Sequence, residues 1–300
     1  AALIDADLVL VPTRELSRMV EGYNPNVVVL PNYLDDTIWQ LKQPAQKTAI
    51  EEITIGYMGS NSHTPDLIII ASLLRELLAR YEGKLKLEVW GTPLPEALQN
   101  IEGVFLHPSP TNVYTDFVKF FQTLEFDLVI APLADNLFNR CKSGLKFLEY
   151  SAIGAPGVYS RLSPYEEIVS DGVNGFLAVN KTEWFDKLTQ LIESPDLRYQ
   201  MAVAAQKTVE ENWLISQNIH SWDDIYKRLI PQFLLEDINK PLHAHLTNTV
   251  NRQLYHDRVN ADARYQNLVD ELSQATEQTV GFGEEVQNLT QKNNELNDQL

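Results

Sequence analysis

The stretch Asn139-Arg140-Cys141-Lys142-Ser143-Gly144-Leu145-Lys146-Phe147-Leu148-Glu149-Tyr150 decides how this chain is read. It follows Phe126-Asp127-Leu128-Val129-Ile130-Ala131-Pro132-Leu133, a continuous apolar run with the length and composition of a strand buried on both faces. It runs on into a helix that stops at Gly154, ahead of a second short apolar run, Gly157-Val158-Tyr159. The amides of Ser143, Gly144 and Leu145 then fall at a helix N-terminus, where free N–H groups and the macrodipole favour an anion. Glu149, further along the same helix, is placed to reach hydroxyls rather than phosphates. A ligand carrying both groups, such as a sugar nucleotide, fits that order.

The same alternation extends in both directions. Upstream, residues 8–11 form an apolar strand before Pro12, Thr13 caps a helix over 14–22, and residues 27–30 form a second strand stopped by Pro31-Asn32. Residues 40–52 mix Lys, Gln, Pro and Glu without periodicity and read as a linker. Ile53-Thr54-Ile55-Gly56-Tyr57-Met58-Gly59 is a new strand ending in a glycine turn. It is followed by a helix over 66–80 whose apolar face is Leu67, Ile70, Leu74, Leu77 and Leu78. Strands over 85–91 and 103–106, a helix over 114–124, short strands at 157–159 and 175–178, and helices over 183–193 and 197–213 complete the pattern. Strands alternating with helices in this way predict an α/β fold with a Rossmann-like, doubly wound parallel sheet. Such sheets bind ligands beyond the carboxyl ends of their strands. Gly59, Gly91 and the loop 140–144 all fall at that edge. From Tyr265 onward, apolar residues recur at three-four spacing in a weak heptad broken by Gly281 and Gly283, so a helical, coiled-coil tail is expected, with Asn293 as a polar core position.

Composition bounds the function. The 300 residues carry a formal net charge of −17, which opposes binding to nucleic acid or to an anionic membrane, both polyanions. The lone cysteine, Cys141, excludes an internal disulfide and fits a reducing, cytoplasmic setting. No apolar run approaches the roughly 20 residues needed to span a bilayer. The chain opens on Ala1-Ala2-Leu3-Ile4, without an initiator Met or a signal-peptide pattern, and reads as a segment cut from a longer protein. No Cys/His cluster for zinc and no Walker loop occurs.

The ordered set Asn32, Ile55-Gly56-Tyr57-Met58-Gly59-Ser60, Asp127-Leu128-Val129-Ile130-Ala131-Pro132-Leu133, Lys142-Ser143, Lys146-Phe147-Leu148-Glu149-Tyr150, Gly154-Ala155-Pro156, Pro164-Tyr165 and Gly172-Val173-Asn174-Gly175-Phe176 resembles the nucleotide-binding half of GT-B glycosyltransferases, and family 4 and its relatives in polysaccharide assembly most of all. The resemblance implies a domain plan: residues 1–39 as the end of an acceptor-side domain, 40–52 as a linker, 53–215 as the nucleotide-sugar-binding domain, 216–245 as return helices and 246–300 as the tail. It implies transfer of a sugar, of hexosyl type, from a nucleotide-diphosphate sugar to a glycan or lipid-linked acceptor, retaining and metal-independent, with no cofactor beyond the donor substrate. The partners are then the sugar nucleotide and the acceptor, with no nucleic acid, with self-association through the tail, and with peripheral membrane contact only through regions outside this chain.

The resemblance also assigns residues. The family carries a Glu, seven intervening residues and a second Glu. Glu149 occupies the second position and would accept hydrogen bonds from the ribose hydroxyls. Cys141 occupies the first, where the family's Glu contacts the transferred sugar. Ser143, Gly144 and Leu145 align with the amides that hold the diphosphate, and Lys142, Arg140 and Lys146 are the cations beside them. The family's Arg and Lys after the first strand are missing. Gly59, Ser60 and His63 stand there instead. Asp5-Ala6-Asp7 matches the metal-binding Asp-x-Asp of the other large glycosyltransferase fold, but it precedes a strand instead of ending one and is read as chance. A degenerate module serving assembly through its tail, and a sugar-nucleotide epimerase or phosphorylase on the same architecture, are the alternatives.

Overall fold

The computed structural model describes residues 2–45, 52–60, 63–109, 111 and 113–239. The expected coiled-coil tail lies outside the described residues, as do residues 46–51 of the linker and the end of the return helices. Among the described residues, one compact unit runs from Leu8 to Gln232, and residues 2–7 and 233–239 fall in a second. Helix α1 (Ala2–Asp5) belongs to the second.

The larger unit opens with β1 (Val9–Val11), α2 (Arg14–Glu21) and β2 (Val27–Val29). The strands pair in parallel, and the Thr13 hydroxyl accepts from the Leu16 amide as the N-cap of α2. Next come β3 (Ile53–Met58), α3 (Thr64–Arg80), β4 (Leu85–Trp90), a 3-10 turn at Glu96–Leu98, β5 (Val104–His107) and α4 (Tyr114–Phe121). Then β6 (Leu128–Ala131), α5 (Leu137–Arg140), α6 (Leu145–Ala152), β7 (Gly157–Ser160), α7 (Ser163–Glu166) and β8 (Phe176–Ala178) lead to α8 (Lys181–Glu193), α9 (Pro195–Asn212) and α10 (Ile215–Asn239).

The main sheet has six parallel strands in the order β5-β4-β3-β6-β7-β8. The chain builds outward from β3 in one direction and from β6 in the other. The strand order therefore reverses between β3 and β6, and the carboxyl ends of these two strands flank the crevice where such folds take ligands. Both faces of the sheet are covered. Ile53, Ile55 and Tyr57 of β3 and Leu128 and Ile130 of β6 pack toward α3 and α8, whereas Met58, Val129 and Ala131 pack toward α6 and α9. The two-residue period of the strand, with apolar residues at every step of β6 and at most steps of β3, produces this double burial.

The ladder of β6 is shorter than the apolar run from Phe126 to Leu133 suggests. Phe126 lies under Gly56 of β3, where a Cβ would come within 2.3 Å of its ring, so the aromatic packs below the sheet instead of extending it. Residues 32–42 are tied to the same unit. The Leu34 amide donates to the Trp213 carbonyl at 2.9 Å, the Ile215 amide donates to the Leu34 carbonyl at 2.8 Å, and Trp39 is buried.

Candidate functional site

The candidate site is assembled at the carboxyl ends of β3 and β6. After β3, the Gly59 amide donates to the Trp90 carbonyl and the Ser60 carbonyl accepts from the His63 amide, both at 2.9 Å. Gly91, at φ +72°, ends β4 beside them. A Cβ there would meet the Gly59 carbonyl at 2.4 Å, so only glycine lets the two strand ends approach so closely.

Asp66, in the first turn of α3, joins this loop to the one after β6. It is 2% exposed. Its Oδ1 accepts from the Ala134 amide and from Asn139 Nδ2, each at 2.8 Å, and its Oδ2 lies 2.9 Å from His63 Nδ1 and 3.8 Å from Lys142 Nζ. Burial alone would raise this carboxyl, but hydrogen bonds from His63, Ala134 and Asn139 and the nearby Lys142 charge hold it below the usual carboxylate range. His63 is drawn upward by Asp66, yet burial and the charges of Lys146 and Lys142 outweigh that pull and leave its pKa lowered. Lys142 Nζ is 3.5 Å from His63 Nδ1 and sits over the Phe138 ring; burial lowers its pKa against the pull of Asp66.

Helix α6 begins at Leu145 with Gly144 as its N-cap residue. Among the described residues, nothing accepts from the amides of Ser143, Gly144 or Leu145. Gly144 is held against α7: a Cβ would stand 2.7 Å from the Pro164 carbonyl. Lys146 Nζ donates to the Met58 carbonyl and lies 4.5 Å from the centre of the Tyr57 ring. Burial lowers its pKa to about 8, opposed by Glu149 and Asp66. Glu149, one turn on, has its pKa raised to about 7 by burial, opposed by Lys146. Its carboxylate has no hydrogen-bond partner among the described residues.

The structure thus brings Gly59, Ser60, His63, Lys142 and Lys146 together around Asp66, with Glu149 sharing the field of Lys146. Ser143 and Gly144 face another way as well. They line a cavity of about 520 Å³ together with Thr13, Arg14, Asn32 and Glu167, and Asn32 Nδ2 donates to the Ser143 hydroxyl at 2.9 Å. Arg140 is turned aside: its Nε and Nη2 donate to the two Asp135 carboxylate oxygens at 2.6 and 2.8 Å. Burial raises the Cys141 thiol pKa, which leaves it a poor nucleophile, and its carbonyl accepts from the Thr13 hydroxyl at 3.0 Å. Sequence reasoning missed Asp66 and Asn139. An Asp three residues after His63 at a helix start was the visible signal, but its partners lie about seventy residues away in the chain.

Residues 52–194 match the family model of the glycosyl transferases group 1. The domain has an α/β, Rossmann-like GT-B fold. Among solved structures, Anabaena HepE in complex with UDP-glucose superposes with a TM-score of 0.57 at 16% identity, over 75% of this chain and 64% of that one. S. aureus TarM, in a complex that includes UDP and alpha-GlcNAc-glycerol, gives 0.56 at 15% identity, over 73% and 43%. Sucrose-phosphate synthase from Thermosynechococcus elongatus gives 0.57 at 11% identity, over 76% and 60%. At these identities the likeness establishes the fold alone. The GT-B domain and its flanks span 43–64% of the length of these structures. No curated protein matches the chain in sequence. No described helix is long and apolar enough to cross a membrane, and no described cluster of His, Cys, Asp and Glu has the makings of a metal site.

Proposed function

We propose that this chain carries the donor-binding half of a glycosyltransferase that moves a hexose from a nucleotide-diphosphate sugar to a glycan or lipid-linked acceptor. The observation that carries the reading is the junction at α6. Three unpaired amides and the Lys142 ammonium stand at its N-terminus, and an unpartnered carboxylate, Glu149, stands one turn further along the same helix.

A retaining, metal-independent transfer suits that chemistry. As the bond to the sugar breaks, negative charge develops on the departing diphosphate. Fixed dipoles and a partly desolvated cation stabilise that charge without reorganising. Glu149, ionised, accepts the ribose hydroxyls and sets how deep the nucleotide sits. The acceptor binds across the crevice, against a half that this chain supplies only in part. HepE and TarM, whose structures hold UDP or UDP-glucose, support a uridine nucleotide as the first donor to try.

Titration calorimetry with UDP, GDP and ADP tests the reading. One of them should bind, and Glu149→Ala should weaken that binding much more than it weakens pyrophosphate binding. No heat with any of the three would defeat it. One observation favours a second reading, a non-catalytic module serving assembly: the Arg140 guanidinium, a cation expected at the phosphates, is committed to Asp135.

A further inference from the structure

We infer that His63 receives a hydroxyl of the transferred sugar, and that Asp66 is the positioning residue that makes it able to. The inference rests on the donor reading given above and adds a contact that the reading does not contain.

Asp66 is buried and held ionised by the Ala134 amide, Asn139 Nδ2 and the neighbouring Lys142 charge. An ionised carboxylate only accepts hydrogen bonds. At 2.9 Å from Asp66 Oδ2, His63 Nδ1 must therefore carry the hydrogen. Two cations in the same field, Lys146 and Lys142, disfavour a second proton on the ring. The neutral ring that results presents Nε2 as an acceptor. Nε2 has no partner among the described residues, and the His63 side chain keeps 18% of its surface exposed.

Such an acceptor selects its ligand by chemistry. His63 Nδ1 lies 3.5 Å from Lys142 Nζ, so the ring stands beside the cation assigned to the diphosphate. Phosphate oxygens are themselves acceptors at neutral pH and cannot pair with a bare Nε2. The ribose hydroxyls are claimed by Glu149. Of the O–H groups on a nucleotide sugar, those of the hexose remain. Cys141 offers only a weak sulfur acceptor in the same loop, which leaves the imidazole as the strong one.

The test uses the 300-residue chain, with UDP and UDP-glucose as probes and GDP and GDP-mannose in parallel. Nitrogen-15 chemical shifts should place the His63 proton on Nδ1 in the wild type and move it to Nε2 in Asp66→Asn, whose amide donates where the carboxylate accepted. His63→Phe should lose roughly three- to tenfold in affinity for the sugar nucleotide, the scale of one neutral hydrogen bond, with affinity for the bare diphosphate unchanged. His63→Gln, which keeps an acceptor oxygen at that reach, should retain most of the difference. Asp66→Asn should lose in the same direction as His63→Phe. A wild-type proton on Nε2 overturns the inference, and so does an equal loss for UDP and UDP-glucose in His63→Phe. If the wild type binds no nucleoside diphosphate at all, the donor reading has failed and takes this contact with it. If it binds UDP while His63→Phe binds UDP-glucose as tightly as the wild type does, the donor reading stands and this contact alone falls.

Discussion

Lys146 donates to the carbonyl of Met58, the last residue of β3, and so struts the first turn of α6 against the strand on the far side of the sheet's reversal. The same ammonium lies over Tyr57, also of β3. A lysine on an amphipathic helix usually covers its apolar surface with a solvated head. Here the head itself is partly desolvated, and the opposite charge that acts on it most strongly is Glu149, one turn along.

Replacing Lys146 with Met should therefore act on both stability and binding. The Met58 carbonyl loses its donor at a cost of about 1–3 kcal/mol, and Glu149 loses the charge that favours its ionised form. Chemical denaturation should show a lower midpoint at unchanged slope, and calorimetry should show nucleoside diphosphate affinity reduced about tenfold or more. A midpoint equal to that of the wild type would mean that the strut contributes nothing.

Asp66→Ala should be among the more damaging single changes in the domain. It leaves the Ala134 amide and Asn139 Nδ2 without an acceptor in a buried setting, and each orphaned group costs about 1–3 kcal/mol. Asp66→Asn keeps an oxygen for both donors and should cost less than half as much. Because the folded carboxyl is held below its ordinary value, its contribution is present above that ordinary value and is lost as pH falls through the lower folded one. The stability gap between wild type and Asp66→Ala, read from urea melts, should therefore be narrower at pH 3 than at pH 7, while the part due to the orphaned donors persists.

The sheet was legible in the sequence because strands covered on both faces read as apolar runs, as residues 128–131 do throughout and 53–58 nearly so, while residues 85–90 alternate apolar residues with Lys86 and Glu88 at strand period. Thr13 was legible as a cap because its role is local. The site was legible only where it too is local, at α6. Asp66 meets Asn139 across 73 residues, and no period in the sequence records that contact. Arg140 looked free because the pairing of its side chain with Asp135 depends on the turn of α5, a helix too short to announce itself. That Lys146 turns its ammonium to the Met58 carbonyl was not legible, because pattern alone cannot tell which end of a long side chain is covered.

Gly144→Ala tests how tightly α7 fixes the start of α6. The added methyl would stand 2.7 Å from the Pro164 carbonyl and 3.3 Å from Ile168 Cγ2, and a backbone carbonyl cannot swing aside. One of the two helices must shift, at about 1–3 kcal/mol by comparison with other overpacked sites. The Ser143 and Leu145 amides move with α6, so diphosphate affinity should fall along with the melting temperature. A variant that loses stability and binds normally would separate these amides from the ligand.

The paired titrations on α6 predict a bell-shaped pH dependence of nucleoside diphosphate binding. Glu149 keeps its proton in the folded chain to about pH 7 and must lose it to accept ribose hydroxyls, so affinity should rise as pH approaches that value. Lys146 surrenders its proton at about pH 8, and with it the field that favours an anion, so affinity should fall beyond that point. The optimum then lies between about 7 and 8. Stability follows the same groups with its own signs. Between 4.5 and about 7 the folded chain binds more protons than the unfolded one through Glu149, so stability declines as pH rises. Between about 8 and 10.5 the unfolded chain binds more through Lys146, so stability increases with pH. Glu149→Gln should flatten the acid limb of the binding profile beyond what the ligand's own phosphate contributes, and Lys146→Met should flatten the alkaline limb. Calorimetry from pH 5.5 to 9.5 on the three proteins checks both, and an acid limb unchanged in Glu149→Gln would remove that carboxylate from the ribose.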